Sequence, residues 1–268
     1  MNRNAVHDWR RNHPGPPHWT TAEWKQHFVH LSKTLSYYLR HGARDAGMTI
    51  GTDGYLAVAD LLHQDGFERH GHTEEEIVML VENSTKQRFA CKNQAGALLI
   101  RAQQGHSEGV GDVDYNLFTT SLDSSTMPDN VIHGTCWLNM KAILTEGLKN
   151  MRRDHIHLAD DINTTTGIGQ RSDTILKINC KRALADGMKF LRSGNGVILT
   201  EGFSGVIPPR YIERVMDRNR VTVPPWRLPV PLSVPKALET PLPKKMPRSA
   251  HTASSSSAYR ERSRSRRK

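Results

Sequence analysis

Ten of the fourteen prolines in this 268-residue chain fall between Pro208 and Pro247. Proline breaks helix interiors and removes a ladder hydrogen bond from strands, so sustained regular structure is confined to the chain before them. After Pro247 come the small polar run SAHTASSSSA and the alternating RERSRSRRK, compositions that bury too little apolar surface to order themselves. At the other end, residues 1–20, with Pro14, Pro16 and Pro17, also read as unstructured. The expected folded unit is Thr21 to Asp217, followed over 218–268 by a Pro-rich linker and a disordered basic tail. A content of 37% hydrophobic residues is enough for a real core in a unit of that size.

The net charge of +10 suggests an acidic partner until it is located along the chain. From Pro241 to Lys268 nine Lys or Arg stand against Glu261 alone, a net of +8. The rest is near +2, so an anion site in the folded part must be a local cluster and not a global field. Nuclear import or loose nucleic-acid contact are the uses such a tail suggests, beside the plain alternative of a solubilising extension. No apolar run is long enough to cross a bilayer, and the start lacks a signal peptide's hydrophobic segment. Cys91, Cys136 and Cys180 are odd in number and form no CxxC pair, so neither a disulfide framework nor a cysteine zinc site is indicated. An intracellular protein, cytoplasmic or nuclear or both, is expected.

Within the folded unit, Phe28, Leu31, Leu35, Tyr38 and Leu39 recur at helical steps, and Lys33, Tyr37, Arg40 and Arg44 align on a basic face. Gly42 can take a left-handed cap position, which makes Arg40 and His41 ordinary last-turn charges against the helix dipole, or else ligands of a substrate. The turn Thr52-Asp53-Gly54 leads to Tyr55–Val58 and a helix over Val58–His63. Thr73 and Glu76 form a capping box for a third helix. Arg88–Cys91 and Ala97–Ile100 flank Lys92–Gly96 as a hairpin. Three helices and a hairpin suggest a winged helix over 21–103. From 104 to 217 apolar segments at Ile132-His133, His155–Leu158, Thr174–Ile178 and Gly196–Thr200 alternate with a helix around Leu138–Glu146, a mixed lobe. The fold class expected is α+β.

Arginines and histidines recur in this unit: Arg40-His41, Arg88, Arg101, His133 and MRRDHIHLA (151–159). No carboxylate pair suits glycosidase chemistry, no nucleophile elbow is present, and neither GxGxxG nor a P-loop follows a strand. His155-Ile156-His157 puts two rings on one strand face, but without a third ligand at recognisable spacing no metal is expected.

LSKTLSYYLRHGA, DGYLAVADLL, KQRF, IRAQQGHS, HGT, GLKNMRRDHIHLA, ALADGMKFLRSGNGVILTEG and IPPRYI follow one another in order between Leu31 and Arg214. In these motifs the chain resembles the NAD-dependent RNA (tRNA) 2'-phosphotransferases. The resemblance implies an N-terminal winged-helix RNA lobe and a C-terminal lobe of the ADP-ribosyltransferase type. It also implies a two-step reaction, the last step of tRNA splicing: an RNA 2'-phosphate displaces nicotinamide from NAD, and the ribose 2''-OH then attacks phosphorus, releasing 2'-OH RNA and ADP-ribose 1'',2''-cyclic phosphate. NAD is thus a consumed co-substrate, no metal is required, and the partner is RNA with an internal 2'-phosphate. By motif, the implied catalytic residues are Arg40, His41, Arg88 and Arg153, the last chosen over Arg152 by the MxRxH spacing. His106, Ser107, His133, Gly134, Thr135, His155 and His157 are implied for NAD, with Gly134 letting the backbone approach the nicotinamide amide. Lys33 and Arg40 are expected to touch RNA, and Arg101 is left outside the catalytic set. A monomer is expected. The rivals are an ADP-ribosyltransferase that stops after the first step and a catalytically idle RNA-binding protein.

Overall fold

The computed structural model describes residues 20–160, 168–169 and 171–232. The expected disordered start, up to residue 19, and the basic tail from residue 233 lie outside the described residues. What is described is a mixed α+β chain of antiparallel sheets, without a barrel.

Helix α1 (Thr21–Tyr37) begins with a capping box in which Thr20 and Glu23 satisfy each other's backbone N–H groups. Its stripe is buried as the spacing predicts: Phe28, Leu31 and Leu35, together with Leu39, are at most 2% exposed. The helix does not simply stop. Tyr38–Gly42 forms a π-helical turn, closed by the Ala43 N–H donating to the Tyr38 carbonyl at 3.1 Å. A regular 100° step would keep Arg40 with the exposed Lys33 and Tyr37, and the widened turn carries it inward instead. Gly42 does not take the left-handed conformation, which falls to Gly47 at φ +72°. A Cβ there would lie 2.5 Å from the ring of the exposed Tyr37, so the bare backbone lets that ring fold over the turn.

Strand β1 (Leu56–Ala57) runs into α2 (Val58–Leu62) and α3 (Asp65–Glu68), and α4 (Glu74–Asn83) starts at the Thr73 and Glu76 capping box. Strands β2 (Phe89–Gln94) and β3 (Ala97–Ala102) pair from Phe89 with Ala102 to Gln94 with Ala97. The hairpin is longer and its turn tighter than the sequence suggests, because Ala95 and Gly96 both adopt positive φ in a two-residue turn. The sheet order is β1-β3-β2, and with the helices it encloses one core running from Trp24 to Val110.

The second core draws on a four-stranded and a three-stranded sheet. The first contains β4 (Thr119–Leu122) and, further on, β7 (Ile156–Leu158), β9 (Phe190–Ser193) and β10 (Ile198–Thr200), in the order β4-β9-β10-β7. The second contains β5 (Val131–Thr135), β8 (Thr174–Ile178) and β12 (Ile212–Asp217), with β8 in the middle. Helices α5 (Met140–Glu146) and α6 (Cys180–Ala185) and the short pair β6 (Leu148–Lys149) with β11 (Val206–Ile207) complete it. The two larger sheets meet where Ile132 and Ala159 exchange backbone hydrogen bonds of 2.9 and 2.8 Å. Packing continues past the expected end at Asp217: Val223, Leu228, Val230 and Leu232 lie against this core. Their intervening prolines sit in extended and single-turn segments, which proline tolerates.

Candidate anion-binding site between two cores

The π turn presents Arg40 to the second core. The guanidinium is half-buried, and its Nε and Nη2 are buried without a hydrogen-bond partner. Burial, and then the charges of Arg153 and Arg88, lower its pKa to about 10. Arg88 stands just before β2 and after Gln87 at φ +40°, and burial lowers its pKa as well. Arg153 is exposed, yet its charge acts on Arg40, His41, His133 and His157. Among the described residues none of these three arginines pairs with a carboxylate. Like charges gathered without a counter-ion raise the free energy of the empty site, and a bound multivalent anion relieves it.

Residues 105–107 hold this arrangement together. Gly105 adopts φ +90°, a conformation that favours glycine, and its open Cβ side faces the Arg40 guanidinium at 3.5 Å. Ser107 donates its N–H and its hydroxyl to the Arg40 carbonyl at 2.9 and 3.1 Å. With that hydroxyl proton committed, His41 Nδ1 donates to Ser107 Oγ at 3.1 Å, which leaves Nε2 as the ring's other functional nitrogen. Burial and the charges of Arg40 and Arg153 lower the His41 pKa. Ser107 also bridges Arg153 as an isolated β pair, and the Asp154 N–H donates to the His106 carbonyl at 3.1 Å. Arg40 and Arg153 are thereby tied to the same short segment.

A cleft of about 320 Å³ opens beside the turn, lined by Ser32, Lys33, Ser36, Tyr37, His41 and Arg88. Lys33 belongs to this outer wall and not to the arginine cluster.

The histidines form the inner wall. His133 Nδ1 donates to the His157 carbonyl at 2.9 Å, across the seam between β5 and β7, so the unprotonated nitrogen of the neutral ring is Nε2. Its pKa is lowered, first by burial. His157 is driven down to about 3 by burial, Arg153 and Arg40, and His106 likewise to about 3 by burial, Arg40 and His155. Burial also lowers His155, whose ring stands edge-on to Tyr115 with centroids 4.3 Å apart. His106 Nε2, His155 Nδ1 and His157 Nε2 are buried with no partner. These are neutral rings with unused hydrogen-bonding nitrogens, the equipment for reading a polar ligand without adding charge. The pair His155 and His157 does not join a third ligating side chain among the described residues.

Gly134 and Thr135 follow His133 on β5. A Cβ at Gly134 would meet Ile168 and Ser172 side-chain atoms at 2.8 Å, so packing against these two residues itself requires the glycine. Thr135 is buried and its hydroxyl accepts from Asn139 Nδ2 at 3.3 Å. Arg101 stays outside the cluster: its guanidinium lies over the Phe118 and Tyr55 rings and donates to the Asp53 carbonyl.

Three participants carry no local signal in the sequence. Gly105 is one. Tyr115 is the second, with its hydroxyl 2.7 Å from His106 Nδ1, and Asp154, which accepts weakly from that hydroxyl at 3.5 Å, is the third. Asp154 adjoins Arg153 in the MRRDHIH motif, but its contact with Tyr115 spans 39 positions and leaves no trace in spacing.

Residues 26–202 match the family described as RNA 2'-phosphotransferase, Tpt1 / KptA family. The chain is similar to the human tRNA 2'-phosphotransferase 1, 38% identical over 76% of this chain and 80% of that protein. The zebrafish protein of the same name is 37% identical over 69% of this chain and 84% of its own length. A Rhizobium johnstonii protein named "Probable RNA 2'-phosphotransferase" is 34% identical over 69% of this chain and 92% of itself.

Two outcomes follow from the electrostatics. Replacing Arg40 by Met removes an unpaired charge at little loss of volume, so chemical denaturation is expected to show the variant more stable than wild type, by about 1 kcal/mol. Sulfate should raise the melting temperature of wild type and have a much smaller effect on the variant. The second concerns pH. Because the folded His106 pKa lies below its ordinary 6.5, the unfolded chain binds the proton first, and the stability it supports is present above about pH 6.5 and lost as pH falls toward 3. His106→Asn should therefore lose less stability between pH 7 and 5 than wild type, by roughly 2 kcal/mol in urea titrations.

Proposed function

The chain belongs to the RNA 2'-phosphotransferase, Tpt1 / KptA family, and from that premise we propose that it transfers the internal 2'-phosphate of an RNA to NAD. The observation that carries the proposal is the cluster of Arg40, Arg88 and Arg153, none of which pairs with a carboxylate among the described residues, a receptor for a doubly charged phosphoryl group. The RNA is of the tRNA class, as in the names of the vertebrate relatives.

The residues fit NAD as co-substrate. The unpartnered ring nitrogens of His106, His155 and His157 offer hydrogen bonds to its polar groups, with Ser107 next to His106 and His133 bonded to the His157 carbonyl, and Gly134 and Thr135 following on β5. NAD supplies an electrophilic ribose carbon whose leaving group is nicotinamide. The RNA phosphate is already an anionic nucleophile, so displacement needs positioning by guanidinium groups more than a strong base. As nicotinamide leaves with the electron pair of the broken C–N bond, the neutral histidines add no competing positive charge to the wall.

In the second step the ribose 2''-hydroxyl bonds to phosphorus, the bond from phosphorus to the RNA 2'-oxygen breaks, and that oxygen gains a proton as the RNA 2'-OH. Charge builds on the phosphoryl oxygens, where the permanently charged forks of Arg40, Arg88 and Arg153 stabilise it. His41 Nε2, with Nδ1 anchored on Ser107, is the group poised for the proton. The helical part with its β1-β3-β2 sheet is read as a winged-helix RNA lobe, in which Lys33 meets the backbone phosphates, and the second part as an ADP-ribosyltransferase-type NAD lobe.

Incubation with NAD and an RNA bearing one internal 2'-phosphate, followed by mass spectrometry, tests the proposal. Wild type should yield 2'-OH RNA, nicotinamide and ADP-ribose cyclic phosphate, and Arg88→Ala and Arg153→Ala should each be slower by roughly 10²–10³-fold. A phosphate left in place, or ADP-ribose retained on the RNA as end product, contradicts it.

A further inference from the structure

Away from the arginine cluster, three side chains on α1, the loop before α4 and α4 itself point at one spot. His27 Nε2 lies 2.9 Å from both Glu76 carboxylate oxygens, and His72 Nδ1 lies 3.1 Å from His27 Nε2 and 3.3 Å from Glu76 Oε2. The ligating atoms of the three fall within 4.8 Å of one another. Their side chains are 7%, 0% and 8% exposed respectively, so this is not a solvated surface cluster.

Bonds of about 2.0–2.1 Å at tetrahedral angles would hold ligand atoms roughly 3.3 Å apart. The observed separations need shifts of only a few tenths of an ångström to match. Two imidazole nitrogens that face each other at 3.1 Å while both face one carboxylate are an awkward hydrogen-bonded set. If both carry protons toward Glu76, two donors are pressed together. A cation between them removes that conflict and uses both lone pairs.

The surroundings are those of a ligand shell. Coordination through His72 Nδ1 puts its proton on Nε2, and Nε2 lies 3.2 Å from His30 Nδ1, an acceptor one turn along α1 from His27. Glu76 Oε2 accepts from the Thr73 N–H at 3.3 Å, so the capping box orients the carboxylate. Such outer partners fix tautomer and rotamer in metal sites. The rings of Phe67 and Trp24 stand edge-on to His72 and His27, with centroids 5.9 and 6.0 Å away. Two nitrogen ligands and one carboxylate suit zinc or a similar transition metal, whereas calcium and magnesium ask for oxygen.

We propose that His27 Nε2, His72 Nδ1 and the Glu76 carboxylate bind one zinc-class divalent ion, with His30 as the positioning residue behind His72. The ion clips α1 to the start of α4, and α1 ends in the π turn that carries Arg40 and His41. None of its ligands is among the residues assigned to phosphate transfer, and its test is independent of that reaction.

The test uses the tag-free full chain stripped with a chelator and dialysed. Cobalt(II) titration of this unmutated protein should saturate at one equivalent with the visible bands of a tetrahedral nitrogen-and-oxygen site, and zinc should displace them. Zinc should raise the melting temperature by several degrees. His30→Ala should weaken zinc about 10–100-fold, His27→Gln should abolish the cobalt bands, and His63→Ala, at an exposed position elsewhere, should change neither. Absence of cobalt bands in wild type, binding without stoichiometry, or equal zinc affinity in the His27→Gln variant would overturn the proposal and leave a hydrogen-bonded histidine cluster.

Discussion

The carbonyl of Arg40 accepts two hydrogen bonds from Ser107, and this tie decides where the charged groups of the site can stand. A regular α-helical turn would offer that carbonyl to an amide four residues on, inside its own helix. Widening to a π turn at Tyr38–Gly42 moves the chain off that register, and a segment 67 residues away supplies the donors. The same segment places Gly105 against the guanidinium of Arg40 and pairs with Arg153. Both cores therefore meet the site through a few backbone bonds, which hold geometry better than long side chains could.

The second constraint is electrostatic. Arg40, Arg88 and Arg153 repel one another, and burial adds to the penalty for Arg40. The neighbouring histidines answer by staying neutral, with His106 and His157 pushed down to about 3. Had they been protonated, the wall would set further positive charges beside Arg40 and Arg153. Stability is given up at the site and recovered in the two cores, where side chains such as Phe28, Leu39, Phe190 and Tyr211 are almost wholly buried. The clustering of unpaired buried polar atoms in Arg40, His106, His155 and His157 marks the same place from the side of hydrogen bonding.

Much of the fold is legible in the sequence where local signals are strong. The Phe28 to Leu39 stripe, the Thr73 and Glu76 box, and Thr174–Ile178 emerge as a helix, a helix start and a strand. Phe190–Ser193 is too short to display a period, and in Ile212–Asp217 a bulge between Ile212 and Arg214 breaks the alternation that would have marked it. The π turn has no composition of its own, so from residues alone Arg40 and His41 read first as last-turn charges. The ordered motifs carry the family resemblance, and the folded chain shows the contacts. What the sequence could not display is convergence over distance: Tyr115 beneath His106, or His72 facing His27 across 45 positions.

The central claim is that the cluster of Arg40, Arg88 and Arg153 recognises a phosphate on RNA. The most direct measurement compares, by fluorescence anisotropy without NAD, the affinity of the wild type for two RNA oligonucleotides that differ only in one internal 2'-phosphate. The account predicts that the phosphorylated RNA binds at least about tenfold tighter, the scale of one charge-assisted contact, and that Arg40→Met erases the difference while leaving the common affinity largely intact. Equal affinities for the two RNAs in wild type, or a preference that survives Arg40→Met, would contradict it.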